Sequence, residues 1–325
     1  MKTKVVRWGI IGAGNIAEKF AKDLHSVSNC KLYGIASRNL KKAEKFASKF
    51  KATKAYGNYE SLAKDEQVDV VYIATPHSLH KKHTLLCLNL KTPVLCEKPF
   101  AMNLNEVNEM IRTAKTNNLL LMEAMWTAFL PHFQEIKKLV TNQYFGNVIK
   151  LEAGFGLHPK YDENSRLFDK SLGGGSLLDI GIYPVFAALS LLGLPNSIKA
   201  NADFFSNGTD SSCNIIFHYN KAKAFLNSTF LKNTKTKLVI KCERGTIRVN
   251  NNFHQPNSVE LIYENGQSET KLFNCKTLGY SYEIQHINEL LRKGKTESDI
   301  MTFNKSIELI STLDQIRNII GLDYN

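Results

Sequence analysis

Three stretches of this sequence carry residue types at spacings that can do chemistry. Gly12-Ala13-Gly14-Asn15-Ile16-Ala17 has the form Gly-x-Gly-x-x-Gly/Ala. Between a strand and a helix, such a run serves a pyrophosphate. The first glycine makes a tight turn, the second lets the phosphate approach the backbone, and a small residue in the third place lets helix pack on strand, while the helix's positive end faces the anion. Glu97-Lys98-Pro99 sets a lysine beside an acid and ahead of a rigid proline, at the end of an apolar run. Hydride transfer at a carbinol carbon needs a group that exchanges a proton with the oxygen, and it gains from a cation near the developing alkoxide. Lys98 suits either role; an exposed lysine paired with Glu97 is the plainer alternative. The third stretch is Gly173-Gly174-Gly175-Ser176-Leu177-Leu178-Asp179-Ile180-Gly181-Ile182-Tyr183-Pro184. Its glycines let a loop pass close to a ligand or another backbone, and Ser176 is suited to cap a following helix. Asp179 and Tyr183, four apart, share one face of such a helix and present a carboxylate and a phenol together. A lysine ammonium near a phenol lowers its pKa, which makes Tyr183 a candidate acid/base, although a tyrosine on a helix face is more often packing than catalytic and spacing does not show proximity to Lys98.

The turn after the second expected strand reads Ala36-Ser37-Arg38-Asn39. An NAD enzyme places a carboxylate there for the ribose 2′-hydroxyl; this chain has none, while Arg38, with Lys42 one turn on, can pair with a 2′-phosphate. NADP is therefore expected ahead of NAD; the alternative is that Arg38 is a solvated helix-start residue. His77, His80 and His83 invite a metal reading, but a three-residue spacing drifts around a helix and no cysteine or carboxylate completes a set, so no metal is expected. His158 and Arg166, in the loop before the glycine run, are candidates to reach substrate or are simply solvated.

These residues need a scaffold. Short apolar runs at 5–11, 31–36, 68–74, 94–97 and 119–122 alternate with helical spacing at 15–26, 40–49, 80–88 and 104–116, the pattern of successive parallel βα units. A doubly wound α/β domain is expected over residues 1–125. Beyond it the pattern changes. Helices are expected at 131–140 and 176–192, an extended stretch at 148–155, and short period-two runs at 198–204, 213–219, 224–230, 237–242, 245–249, 259–263 and 269–273. These predict an α+β domain over 126–325 with one large, mostly antiparallel sheet. Closing helices at 280–291 and 303–320 either cover that sheet or return to the first domain.

Composition bounds the rest. The 325 residues include 42 Lys+Arg against 30 Asp+Glu, a net charge of +12, with a pI near 9.3. A hydrophobic fraction of 43% against 22% charged excludes global disorder. No apolar run approaching the ~20 residues of a spanning helix is apparent, so no membrane partner is expected. No basic tail, aromatic-basic interleaving or recognition-helix motif accompanies the positive charge, so no nucleic acid is expected; a phosphorylated dinucleotide is the simpler acidic partner. Residues 1–8 run into the first strand with no h-region, and six cysteines without a Cys-x-x-Cys pair lie mostly in apolar contexts. Reduced core thiols and a cytoplasmic location are the expectation.

Taken together, Gly12 to Ala17, Ser37-Arg38, Thr75-Pro76 with His80, Glu97-Lys98-Pro99, Glu123-Ala124-Met125-Trp126, and Gly174 to Pro184 resemble the family of glucose-fructose oxidoreductase, inositol dehydrogenase and MocA proteins over nearly the whole chain. Gly279-Tyr280 and the stretch from Ser306 to Gly321 also look like that family's end. The Trp126 segment and Tyr183 are most similar to the branch of dimeric dihydrodiol dehydrogenase and NADP-dependent D-xylose dehydrogenase. The resemblance implies a Rossmann domain, a hydride transfer between a nicotinamide and a sugar, polyol or cyclic trans-diol, and a homodimer packed through the open sheet of the second domain. It implies that Lys98 and Tyr183 handle the proton and that Asp179 positions substrate. Thr75, Pro76 and His80 then line the nicotinamide site, with Ala13, Asn15, Ile16, His77, Glu97 and Trp126 also counted among the cofactor residues. One departure matters: the branch has arginine after Trp-Thr, where this chain reads Trp126-Thr127-Ala128-Phe129, which removes a guanidinium from the substrate side. The competing function is a non-catalytic NAD(P)-sensing regulator on the same fold.

Overall fold

Strands that are apolar on both sides need helices on both faces, and the first unit meets this need with βα units. The computed structural model describes residues 5–324, and its first unit comprises Met1–Trp126 with Lys276–Ile307. In chain order it holds β1 (Val6–Ile11), α1 (Asn15–Leu24), β2 (Cys30–Ala36), α2 (Leu40–Phe50), β3 (Lys54–Tyr56), α3 (Tyr59–Ala63), β4 (Val70–Ile73), α4 (His80–Asn89), β5 (Val94–Glu97), α5 (Leu104–Asn117) and β6 (Leu121–Ala124). The six strands are all parallel, in the order β3-β2-β1-β4-β5-β6. β4, β5 and β6 are buried at every residue, as a doubly covered parallel sheet requires. Strand order reverses between β1 and β4, and in such sheets ligands bind outside the carboxyl ends of the strands at that switch point. Asn39, Asn58 and Asn103 start α2, α3 and α5 by accepting backbone N–H bonds.

The second unit comprises Thr127–Cys275 with Glu308–Asn325. It contains α6 (Pro131–Thr141), β7 (Val148–Gly156), α7 (Ile182–Leu192), β8 (Ser197–Phe204), β9 (Asp210–His218), β10 (Lys223–Thr229), β11 (Leu238–Cys242), β12 (Gly245–Val249), β13 (Val259–Tyr263) and β14 (Ser268–Lys271). Their sheet runs β14-β13-β12-β11-β7-β10-β9-β8, antiparallel except where β7 meets β10. One face is apolar: Leu151, Ala153, Ile215, Phe217, Ala224, Leu226 and Ile240 are buried, and α7 is buried without a break from Ile182 to Ala188. The cross-strand register gathers Lys150, Glu152, Lys223, Phe225, Ile216, Asn214, Lys199 and Val239 on the opposite face. Helices α8 (Tyr280–Arg292) and α9 (Phe303–Ile320) close the chain, α8 within the first unit.

Both expected sheets are present. β3 and α3, three and five residues long, were not expected, because they are too short to show a period. The expected boundary at 125/126 lies one residue from the break at 126/127, but Lys276–Ile307 packs with the first unit, so the second unit is not one contiguous run. Lys170–Leu192 is long and apolar enough, by length and composition, to cross a membrane; Asp179 and the glycines hid this in the sequence, and 78% of its most apolar window is buried inside the protein. The N-terminal reading rests partly on residues 1–4, which lie outside the described residues.

Candidate functional site

In the first unit the glycine turn has the geometry its sequence demands. Gly12 stands at φ +99°, and a Cβ there would lie 2.6 Å from the Ala74 carbonyl oxygen, so only glycine fits. Gly14 begins α1 without a side-chain cap, and a Cβ on it would meet nothing within 4 Å. This bare helix start fits a dinucleotide pyrophosphate. Ala13 and Ile16 are half-buried and Asn15 is exposed on the same turn. At the end of β2, buried Ser37 donates its N–H to Tyr56 O at 3.1 Å and accepts the Asn39 N–H at 3.3 Å. The turn thus shaped carries exposed Arg38 and no carboxylate, and exposed Lys42 follows in the first turn of α2.

Beyond β4, Thr75 and Pro76 are half-buried and His77 is 5% exposed. His80 is wholly enclosed: Nδ1 lies 2.7 Å from Pro99 O and Nε2 lies 2.8 Å from Thr75 O, so the ring ties the β4 end to the turn after Lys98. His83 Nδ1 lies 3.0 Å from Thr75 Oγ1, and burial, then the charges of His80, Lys82 and Arg38, push its pKa down to about 4. Among the described residues no group of three histidine, cysteine or acidic side chains could hold a metal ion.

Lys98 directly follows β5 at 9% exposure, ahead of a cis peptide to Pro99. Its N–H donates to Glu97 Oε2 at 3.1 Å, and the Tyr72 hydroxyl donates to Glu97 Oε1. The Phe100 N–H donates to Glu123 Oε1 at 3.0 Å, and burial lifts Glu123 to about 7. Glu283 on α8 is fully buried; burial, then the charges of Glu97 and Asp23, hold it well above the usual carboxylate range. Trp126 stacks on Tyr280 with centroids 4.4 Å apart.

In the second unit, residues 176–192 depart from the uniform helix expected. Leu177–Gly181 form a π-turn, and the α-helix begins at Ile182. Asp179 therefore stands on a wider turn than Tyr183, and α-helical facing does not describe the pair. Such π segments are rare and frequent at functional sites. Ser176 does not cap with its side chain. Its hydroxyl donates to Asp210 Oδ2 at 2.7 Å, and the same oxygen accepts the Leu177 N–H at 2.7 Å, so a distant carboxylate does the capping. Ile180 packs with Phe168 and Phe230. Asp179, 8% exposed, accepts from Arg166 Nη1 at 3.1 Å, which joins two of the expected residues. The Tyr183 ring, 7% exposed, lies 5.0 Å from His254 and 5.9 Å from Phe155. His158 is exposed, and its amide donates to Asn233 Oδ1 at 2.9 Å, a loop tie.

Asp210, His254, Glu283 and Tyr72 carry no signal in the sequence, because the groups they face lie tens to hundreds of positions away. A parallel sheet with reversed order at β1/β4, a bare glycine turn at that point and a buried lysine at a strand end define a dinucleotide-binding oxidoreductase. Comparison with known proteins narrows the class. Residues 6–125 match the profile described as "Oxidoreductase family, NAD-binding Rossmann fold", and residues 133–248 match the GFO/IDH/MocA C-terminal domain. Trans-1,2-dihydrobenzene-1,2-diol dehydrogenase of Xenopus tropicalis is 36% identical over 98% of this chain and 99% of its own length. The scyllo-inositol 2-dehydrogenase (NADP(+)) IolU of Bacillus subtilis is 33% identical over 98% of each chain. Aldose-aldose oxidoreductase from Caulobacter crescentus, solved with glycerol, shares the fold at TM-score 0.89 and 21% identity, over 98% of each chain. The 3-ketoreductase KijD10 from Actinomadura kijaniata, solved with NADP and TDP-benzene, shares it at 0.88 and 22%, also over 98% of each. The chain belongs to the GFO/IDH/MocA family and is an NAD(P)-dependent oxidoreductase acting on CH–OH groups. The sensor alternative gains nothing from the dihydrodiol and scyllo-inositol dehydrogenases, each named for a reaction.

Proposed function

We propose that this enzyme uses NADP to interconvert carbinol and carbonyl on a sugar, polyol or cyclic trans-diol, and that it works in the cytoplasm as a dimer through the open face of its eight-stranded sheet. The observation that carries the reading is Lys98, a lysine with only 9% exposure at the carboxyl end of β5. Desolvating an ammonium is costly unless the site uses the charge. The chemistry a bound nicotinamide supplies is hydride acceptance or donation at C4. In oxidation Tyr183 takes the hydroxyl proton onto its phenolic oxygen, and in reduction it returns that proton to the carbonyl oxygen. The Lys98 ammonium stabilises the alkoxide that develops between those states. Asp179, held by Arg166 at 3.1 Å, accepts a hydrogen bond from a neighbouring substrate hydroxyl. Arg38 and Lys42 hold the 2′-phosphate. The thiols of Cys87, Cys96, Cys213 and Cys242, buried in the two cores, fit a reducing compartment.

The test is absorbance at the reduced-nicotinamide band with pentoses, hexoses, inositols and cyclic diols. Tyr183→Phe and Lys98→Met should each lower kcat/KM by about a hundredfold or more, the usual scale for a lost acid/base or charge-stabilising group. Full activity in both variants would overturn the mechanism. No turnover on any substrate, with tight NADP binding, would restore the sensor.

A further inference from the structure

Asp210 is the first residue of β9, and no part of the reaction chemistry above uses it. It is fully buried, yet it has no ion-pair partner among the described residues. Its Oδ2 receives both the Ser176 hydroxyl and the Leu177 N–H, each at 2.7 Å, at the start of the π-turn that carries Asp179. Because the Ser176 proton is committed to Asp210, the Ser228 hydroxyl 2.9 Å away donates to Ser176, which ties the same point to β10. The glycines are matched to this carboxylate. Gly175 stands at φ +114°, and a Cβ there would lie 2.1 Å from Asp210 Oδ1; a Cβ on Gly181 would lie 2.9 Å from Ser228 Oγ. Oδ1 itself is buried with no hydrogen-bond partner.

We propose that Asp210 is a positioning residue for Asp179 and Tyr183, anchoring the head of the segment that carries both; this rests on the roles proposed for those two side chains. An anchor to the backbone N–H of Leu177 and the hydroxyl of Ser176 fixes where the π-turn begins, and the wide turn sets the angular offset between Asp179 and the start of α7. Charge strengthens the anchor, since hydrogen bonds to an ionised acceptor are roughly twice as strong as neutral ones. Burial, opposed by the Ser176 and Leu177 bonds, lifts Asp210 to about 7, so the anchor weakens as pH falls through neutrality. The other titratable groups around it are Cys213 on its own strand and Tyr324 of the C-terminal segment, which also feels Asp179 and Arg317. Burial pushes both Cys213 and Tyr324 upward, so neither titrates in that range.

The experiment compares full-length wild type, Asp210→Asn, Ser176→Ala and the double variant by amide hydrogen exchange of a peptide spanning 176–184, between pH 6 and 8. Kinetics with NADP and the best polyol of the panel are measured alongside. In wild type, exchange corrected for its intrinsic pH dependence should rise as pH falls; in Asp210→Asn it should be about tenfold faster than wild type at pH 8 and indifferent to pH. Polyol kcat/KM should fall about tenfold while KM for NADP stays within twofold, and the double variant should cost no more than Asp210→Asn, because the two residues act as a unit. Equal exchange in wild type and Asp210→Asn at every pH would overturn the anchor. Faster exchange with unchanged polyol kcat/KM would overturn the positioning role. If the anchor behaves as expected but wild type turns over no polyol, the proposed reaction fails and the role assigned to Asp210 falls with it, separately from the anchor.

Discussion

Arg38 and Lys98 show how differently one positive charge is used in two settings. Lys98 is buried at a strand end, where its charge acts in a low dielectric; Arg38 is exposed on the turn after β2, where water screens it. An exposed guanidinium contributes little unless its partner offers paired oxygens, as a 2′-phosphate does. Charge-assisted bonds contribute ~1.5–3 kcal/mol each, so Arg38→Ala should raise KM for NADP by about 10- to 100-fold and KM for NAD by less than about twofold. Steady-state titration of both cofactors checks this, and equal changes would remove Arg38 from the 2′-phosphate site. Lys98, Asp179 and Tyr183 could be singled out as candidates in the sequence because their types and immediate neighbours suggest a reaction, whatever role each proves to have. Asp210 and His254 were not, since their meaning comes from Ser176 and Tyr183, brought to them by other elements.

At the level of elements, what was legible depended on length and period. β4 and β5 are short, but each is wholly apolar and ends in residues that mark a turn, so both were found; β3, Lys54–Tyr56, has no period to read. The π-turn was invisible because its cause, a carboxylate from β9, lies more than thirty residues downstream of Ser176. The open face of the eight-stranded sheet was expected from resemblance, and its register now gives it a chemistry. Phe225, 38% exposed, stands near its centre under the Lys150 ammonium, with half-buried Ile216 and Val239 on the same face. Eight strands at ~4.8 Å spacing and about 20 Å length give roughly 800 Å² for one partner, the size of a standard interface. Phe225→Asp would replace the apolar ring at the centre of the proposed interface with a hydrated carboxylate, so sedimentation velocity at micromolar concentration should show dimer for wild type and monomer for the variant. An unchanged sedimentation coefficient would move the interface elsewhere.

Across the whole molecule, the described residues include Glu123 in the first unit and Asp210 in the second, both lifted toward neutrality, with Glu283 raised in the same direction, and together they oppose the usual acid sensitivity of a folded chain. Burial first, against hydrogen bonds that favour the charged form, lifts Glu123 in the first unit and Asp210 in the second to about 7, from ordinary values of 4.5 and 3.8. Between those ordinary values and about 7 the native state holds protons that the unfolded chain has released. Stability therefore falls as pH rises through this window, and above it the full cost of burying the charge is present. At ~1.4 kcal/mol per pKa unit, that cost is about 3 kcal/mol for Glu123 and about 4 kcal/mol for Asp210. Glu123→Gln and Asp210→Asn keep an acceptor for the Phe100 and Leu177 amides while removing the charge, so each should melt about 10 °C above wild type at pH 8, with the gap closing toward pH 5. Calorimetry across that range decides the matter. A gap independent of pH would mean the carboxyls do not titrate near 7, and a gap of opposite sign at pH 8 would mean their charged forms stabilise the fold. A variant at Asp210 that is more stable yet slower would give a physical reason for retaining a buried, unpaired acid: its charge holds Asp179 and Tyr183 in place, at the expense of stability.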